Sequence, residues 1–569
     1  MEIVRRTVPT AAATLVSAGV DPVLARVFAA RGIETRDELD ADLARLPPFA
    51  LLKGIAAASA RLADAIARRE KIVIVADYDA DGATACAVGV RGLAAMGADV
   101  AFLVPNRFEH GYGLTPEIVV QAAAMTPRLI VTVDNGIASH DGVAKAASLG
   151  IEVLITDHHL PAATLPSPAL IVNPNQPGCP FPAKHLAGVG VMFYVLMATR
   201  AVLRERGRFA GRAEPNLATL LDLVALGTVA DVVRLDRVNR ALVAQGLARI
   251  RGGRAQAGIE ALFAAAGRDA RSASAYDLGF FIGPRLNAAG RLADMTVGIR
   301  CLLADTAIAA LPLATLLDRW NRERRDVEAT MQEEALAELE LSAQGPDADP
   351  AYTLCVYRPA WHQGVVGIVA ARLKDRYHRP TIVFARGAAG ELKGSGRSIA
   401  GFHLRDALDL IAKREPGTLQ KFGGHAYAAG LSLAEADLPR FAAAFESIAR
   451  EQLTPAQLHR TLDSDGSLGA GELTFDLARA LGDEVWGQGF PAPVFDDLFA
   501  VIEQRIVGGK HSRLVLERSS EGADRRFAAI LFNHAETLPT SIRAAYRPDV
   551  NEWNGAASLQ LVIEHWQSA

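Results

Sequence analysis

Three apolar, β-branched runs in the first third of the 569-residue chain each end in side chains able to bind a cation. KIVIVA (71–76) runs into DYDADG, with Asp77, Asp79 and Asp81; LIVTV (129–133) into DNG, with Asp134; EVLIT (152–156) into DHH, with Asp157, His158 and His159. In an open parallel sheet, ligands bind outside the carboxyl ends of the strands, so these positions converge on one crevice. A single Asp after a strand is commonly a helix cap or turn former, but three coincident cases point to chemistry. Carboxylates packed this closely in a partly dry site cannot all stay ionised unless a cation lies among them. Carboxylates with imidazole and no thiolate suit Mn²⁺, or Mg²⁺ where oxygens dominate, with zinc less favoured. Five or more ligands exceed what one ion with open positions needs, which predicts two divalent ions about 3.5–4 Å apart, bridged by a carboxylate. Such a pair activates water and steadies a leaving oxygen, so the predicted reaction is hydrolysis of a phosphate ester.

The elements that must position these residues alternate. An amphipathic helix precedes the first strand; helices are predicted over 83–96, 115–125 and 138–149, with strands over 99–104 and 170–172 between and after them. Strands alternating with helices mean crossover units and a mainly parallel sheet. Residues 186–265 read as mostly helical, and 313–341 as one long connector helix ending before Gly345-Pro346. After it, 352–357, a helix over 365–376 and 381–385 predict a second, smaller α/β domain. Runs at 501–507, 512–517, 526–532 and 558–566 predict a small all-β domain of the barrel kind. The expected divisions are a helical preface (1–54), a catalytic domain (55–305), the connector (306–345), a substrate-binding domain (346–455) and the β tail (456–569).

Half of the residues are hydrophobic and 22% charged, a globular composition. The four cysteines form no CxxC pair, which speaks against a disulfide framework or a thiolate zinc site. No stretch reaches the roughly 18 apolar residues of a membrane span, so a soluble, cytoplasmic protein is expected. The net charge of −4 argues against a nucleic-acid binder when taken alone. Two features offset it: part of the acidity sits in the aspartate cluster, and only nine of the 60 basic residues are lysine, the rest being Arg, whose planar fork suits phosphate.

DYDADG, VDNGI, TDHH and LDLVALGTVAD, in this order, resemble the four motifs of the DHH phosphoesterases. GPRLNAAGRLADM (283–295), WHQGVVGIVAARL (361–373), SGRS (395–398), GGHAYAAG (423–430) and WGQGFPAPVF (486–495) resemble its bacterial single-strand-specific exonuclease branch. The resemblance implies an α/β fold: a parallel-sheet DHH catalytic domain, a long helix, a smaller α/β DHH-associated domain and a C-terminal OB-fold. It implies that Asp79, Asp81, Asp134, His158 and Asp222 are metal ligands with Asp134 the bridge, and that Asp77 binds metal or supports it. His159 then contacts phosphate or transfers a proton, and Asp157 orients the imidazoles. For Asp231 metal support and a helix-end interaction stand as equal readings. Arg285 and Arg291 flank LNAAG, a small-residue segment suited to backbone approach to phosphate. Ser395, Gly396 and Arg397, and Gly424 with His425, are expected in anion-cradling loops, with His362 shaping that domain or touching substrate. Arg505 and Lys510, with His511 and Arg513, are expected to meet DNA around a hairpin-like Gly-Gly; Trp486 and Phe490 fit packing as well as base stacking. The implied activity is 5′-to-3′ degradation of single-stranded DNA to 5′-mononucleotides in repair and recombination, with a helicase and a single-strand-binding protein as candidate partners. Hydrolysis of short oligoribonucleotides or cyclic dinucleotides, and a non-catalytic replication scaffold, are the alternatives.

Overall fold

The computed structural model describes residues 1–106, 112–342, 350–387, 390–469, 471–520, 523–553 and 556–569. They divide into two units, Ile3–Asp318 with Asp463–Ala569, and Arg319–Leu462 with Met1–Glu2. Among the described residues, no helix is long and apolar enough to cross a membrane.

The first unit is built on β1 (Lys71–Ala76), β2 (Asp99–Leu103), β3 (Leu129–Val133), β4 (Glu152–Thr156) and β5 (Leu170–Val172). Their order is β2-β1-β3-β4-β5, and every neighbouring pair is parallel. β3 is buried at all five positions, which is why its sequence is a continuous apolar run rather than an alternating one. α1 (Ala80–Met96) begins earlier than the expected 83–96, because the Asp79 carboxylate accepts from Gly82 N–H at 3.0 Å and caps it. α1 packs tightly on α2 (Gly188–Glu205): a Cβ on Gly92 would lie 2.3 Å from Leu196 Cδ1. α3 (Leu221–Ala230) follows.

The LNAAG segment departs from expectation. It lies within α4 (Gly283–Leu292), which continues a π-helical turn at Leu278–Ile282, and its small residues admit a neighbouring protein backbone, the Tyr78 carbonyl at Gly290, where approach to a phosphate was expected. α5 (Ala307–Ser342) is the long helix, with Pro312 near its start; the predicted stop at Gly345-Pro346 lies outside the described residues.

The second unit carries β6 (Leu354–Tyr357), β7 (Thr381–Arg386), β8 (Leu392–Arg397), β9 (Lys421–Gly424) and β10 (Ala428–Leu433) in the order β9-β10-β8-β7-β6. Only β6 and β7 are parallel. Met331 and Ala335 of α5 pack there with Trp361 and with Val366, Val369 and Leu373 of α6 (Val366–Tyr377). The expected anion loop at 395–398 is corrected: Ser395, Gly396 and Arg397 belong to β8, an inner strand whose backbone pairs with β7 and β10. Glycine is required there because a Cβ on Gly394 would lie 2.5 Å from the Phe384 ring, and one on Gly396 2.7 Å from Leu404. Gly424 likewise ends an edge strand, at φ +140°, with His425 in the turn that follows.

The tail of the first unit is a closed barrel of β11 (Phe495–Val507), β12 (His511–Ser520), β13 (Ala523–Leu531), β14 (Ser541–Trp553) and β15 (Ala556–Ser568), ordered β11-β12-β13-β15-β14. Val23 and Val27 of the N-terminal helix Pro22–Ala29 join its core beside Phe495 and Leu514. Arg31 holds Asp465 with two bonds of 2.8 and 2.9 Å, both side chains almost wholly buried. Asp465→Ala would strand that guanidinium, so we expect a loss of about 3–5 kcal/mol, read as a lower thermal midpoint. Trp486 and Phe490 stack on one another and on Phe28, with Arg240 over Phe490; they are packing residues.

Candidate metal centre

The sheet delivers its carboxylates to one place. Asp134 follows β3 with φ +62°, a left-handed conformation uncommon for a residue with a Cβ. Asn135 fixes that bend by donating from Nδ2 to the carbonyls of Val75 and Val133 at 3.1 and 2.9 Å, which ties together the ends of β1 and β3. Gly188 is required opposite, since a Cβ there would lie 2.6 Å from Asp134 Oδ1. Asp81 lies in the first turn of α1 and faces the N-terminus of α2, where Gly188 and Val189 N–H donate to its two oxygens at 2.7 and 2.8 Å. A helix N-terminus is a natural seat for an anion.

His158 Nε2 lies 3.1 Å from Asp134 Oδ1 and 3.4 Å from Asp231 Oδ2. Asn175 and Asn173 donate to the carbonyls of His158 and His159 at 2.6 and 2.9 Å and hold the DHH turn. Asp157 is buried beneath it, accepting from Ile137 N–H at 2.9 Å, His158 N–H at 2.7 Å and His159 N–H at 3.1 Å. Its Oδ1 also lies 2.8 Å from His159 Nδ1. Asp157 therefore holds the His159 ring as well as the backbone of the turn.

Among the described residues, three groups of side chains have donor atoms close enough to share an ion: Asp134, His158 and His159; Asp81, His158 and Asp231; and Asp77, Asp79 and Asp134. Asp134 and His158 each belong to two groups. The structure thus brings together Asp77, Asp79, Asp81, Asp134, His158 and His159, with Asp157 behind them, and adds Asp231.

Asp222 stands apart, and the ligand reading for it is corrected. It lies in the first turn of α3 while Asp231 caps the other end. Nine residues of helix separate them by about 13 Å, and among the described residues Asp231 falls in a group that could share an ion while Asp222 falls in none. The buried Asp222 carboxylate instead accepts from Leu223 N–H at 3.0 Å and Gln256 N–H at 2.5 Å.

The electrostatics fit a cation. Burial, then the charge of Asp79, raises Asp81 to about 7; burial, then the charges of Asp81 and Asp79, raises Asp134 and Asp231 well above the usual carboxylate range. Burial alone would lower His159, but the hydrogen bond and charge of Asp157, then Asp77 and Asp79, raise it to about 9. So much unrelieved negative charge in a buried set of oxygens and imidazoles suits a hard divalent ion.

Supporting residues were not apparent in the sequence. Tyr112 donates from its hydroxyl to the Asp134 carbonyl at 3.1 Å and lies 3.3 Å from His159 Nδ1. It sits in the loop after β2, so interrogating that strand end as well would have found it. Asn287 of α4 accepts from Ala80 N–H at 2.8 Å, and a Cβ on Gly290 would lie 1.8 Å from the Tyr78 carbonyl oxygen. α4 therefore braces the DYDADG loop. Gly290→Ala should displace that loop and lower kcat about 10²-fold, since an ångström of misplacement costs about that much; steady-state kinetics on a single strand checks it.

Of the residues expected to meet substrate, Arg285 is buried in α4, with Nη2 2.8 Å from Asp318 Oδ1. Arg291 lies in the last turn of α4. On β8, Ser395 and Arg397 face Gly367 near the start of α6, where a Cβ would lie 2.9 Å from Ser395 Oγ. His362 Nδ1 accepts from Gly364 N–H at 3.1 Å just before that helix. Lys510 stands in the turn between β11 and β12, after Gly508 and Gly509, both of positive φ, and Arg505 lies directly across from Arg513 on the ladder.

Residues 71–228 match the DHH family, N-terminal domain; 351–451 the DHHA1 domain; and 464–565 the RecJ OB domain. The chain is similar to the single-stranded-DNA-specific exonuclease RecJ of Dickeya dadantii (strain 3937), with 52% identity over 553 residues and 95% of each chain covered. It is also similar to the crystal structure of RecJ in complex with Mn²⁺ from Thermus thermophilus, at 33% identity and TM-score 0.82, covering 100% of this chain and 79% of that one. The Mg²⁺ complex from the same organism gives 31% identity and TM-score 0.76, covering 100% of this chain and 78% of that one. These are ions to which the carboxylate and imidazole set here is suited. Since identity of this order extends across nearly all of both sequences and through all three regions, the chain belongs to the RecJ family of single-stranded-DNA-specific exonucleases.

Proposed function

We propose that this protein removes 5′-mononucleotides from the 5′ end of single-stranded DNA by hydrolysing phosphodiester bonds. The observation that carries the reading is the convergence of Asp77, Asp79, Asp81, Asp134, His158 and Asp231 at the strand ends of one parallel sheet. These residues would hold Mn²⁺ or Mg²⁺, with Asp134 and His158, each shared by two of the groups, placed to serve a pair of ions. Bound divalent ions lower the pKa of water and offset charge on a phosphoryl group.

The protein's own part is positional. Asp157 fixes the His159 ring through Nδ1, which leaves Nε2 to meet the phosphate or pass a proton to the departing 3′ oxygen. Tyr112 and Asn135 keep the Asp134 backbone in its left-handed turn, so its carboxylate is aimed before substrate arrives. Ser395, Arg397, Gly424 and His425 are proposed to hold the far end of the nucleotide, and Arg285 and Arg291 to act from α4, Arg285 through its pair with Asp318. On the barrel, like charges opposite one another on a ladder are destabilising. Arg505 facing Arg513, beside Lys510, is therefore proposed as a phosphate clamp. The reading includes a cytoplasmic location, with a helicase and a single-strand-binding protein as partners that supply its strands.

A nuclease assay with 5′-blocked and 3′-blocked oligodeoxynucleotides, single-stranded and duplex, with and without Mn²⁺, tests this function. The expected result is mononucleotide release from 3′-blocked single strands only, and only with metal. Equal degradation of blunt duplex, or release from 5′-blocked strands, would contradict it.

A further inference from the structure

The helical run through Ala275–Asp277, Leu278–Ile282 and α4 shows one accessible stripe, Tyr276, Phe280, Pro284, Asn287 and Arg291, at spacings of four, four, three and four. At its outer end two large aromatic rings lie in the open. Tyr276 is 53% exposed and Phe280 67% exposed, and their rings stack at 4.5 Å with 26° between planes. Burial does not hold them there, whereas Leu278 and Ile282 of the same turn are fully buried. The π-helical segment inserts an extra residue into the turn that presents Phe280, a device common at functional sites. Gly279 and Gly283 press this turn against α3: Cβ atoms on them would lie 3.3 Å from Val229 Cγ1 and 2.9 Å from Ala230 Cβ. Asp231 of the metal centre is the next residue, and Val232 beyond it is 62% exposed at φ +60°.

The inner end of the stripe is Asn287, which accepts from Ala80 N–H in the metal loop. Seven residues of helix separate Phe280 from Asn287, about 10 Å. Stacked bases advance by about 3.4 Å each, so that is roughly three nucleotides.

We propose that Tyr276 and Phe280 form a stacking platform for a base of the single strand about three nucleotides from the scissile phosphate. Exposed aromatic rings bind single strands without sequence preference, because every base offers a π face. The platform rests on the exonuclease reading for its substrate. It assigns to this turn a positioning role: it would grip strands long enough to reach it and give nothing to shorter ones.

The test uses the full-length protein and oligodeoxynucleotides of two to eight nucleotides. In the wild type, KM in Mn²⁺ should fall once the strand exceeds about three nucleotides. Phe280→Ala should raise KM for the eight-nucleotide strand at least about fivefold relative to the dinucleotide. Phe280→Trp should restore the length dependence and Phe280→Leu should not; Tyr276→Ala should weaken it. In EDTA, 2-aminopurine placed at the fourth nucleotide should be quenched on binding the wild type and the Trp variant, and not the Ala or Leu variants. A KM raised equally at every length, or wild-type quenching in Phe280→Ala, overturns the platform. Quenching by a wild type that cleaves no single strand in Mn²⁺ would break the exonuclease reading and leave the platform standing.

Discussion

Asp134→Asn is expected to cut single-strand degradation by at least ~10²–10³-fold, the scale on which a group that stabilises transition-state charge acts, and to make the metal-free protein more stable. Both effects have one cause. Asp134 is buried among Asp77, Asp79, Asp81 and Asp231, and without cations these groups repel one another. Asp81 titrates at about 7 in the folded chain, raised by burial and by Asp79 from 3.8. Between those values the folded state binds more protons than the unfolded one, so metal-free stability falls as pH rises from about 4 to 7. His159, raised from 6.5 to about 9, adds stability below 6.5 that is lost as pH rises through 9, in the same direction. Thermal melting should therefore give a higher midpoint at pH 5 than at pH 8 without metal. Saturating Mn²⁺ should raise the midpoint more at pH 8. An Asn variant that stays fully active, or a metal-free midpoint that climbs from pH 5 to pH 8, would contradict the account.

Asp231→Asn and Asp222→Asn should behave oppositely although both lie on the same helical segment. Asp231 Oδ2 is 3.4 Å from His158 Nε2 in the centre, so its loss should lower Mn²⁺ affinity and kcat by about 10²-fold or more. Asp222 accepts two backbone N–H groups, and an amide there leaves one donor facing another. That costs about 1–3 kcal/mol of stability, with metal affinity kept. Calorimetric Mn²⁺ titration beside thermal melts of the two variants separates the roles; loss of metal binding in Asp222→Asn with none in Asp231→Asn would restore the original ligand assignment.

The contrast shows where sequence reasoning reaches. The strand-end aspartates were legible because β1, β3 and β4 are largely apolar runs, and ligands bind at the carboxyl ends of parallel strands. LDLVALGTVAD offers two aspartates at opposite ends of one helix, and choosing between them needs the position of α3 against His158. The family resemblance pointed to Asp222, and the geometry places Asp231 in the cluster. Glycines misled twice. In LNAAG they suggested approach of backbone to phosphate and in SGRS an anion-binding loop, yet Gly290 makes room for the Tyr78 carbonyl on a helix, and Gly394 and Gly396 for Phe384 and Leu404 on an inner strand. Close approach and loop formation demand the same residue and cannot be told apart locally. Nor could the sequence show that Val23 and Val27 complete the core of a barrel that begins only at Phe495. Nothing in the sequence sets Tyr276 and Phe280 apart; their exposure does.

The central claim is that this cluster is the ion-binding centre of a single-strand exonuclease. Mn²⁺ titration of the full-length protein tests it most directly, with the wild type compared with Asp134→Asn. The account predicts two bound ions in the wild type, and fewer, more weakly held, in the variant. A wild type that binds no Mn²⁺, or a variant whose stoichiometry and affinity match the wild type, would contradict it.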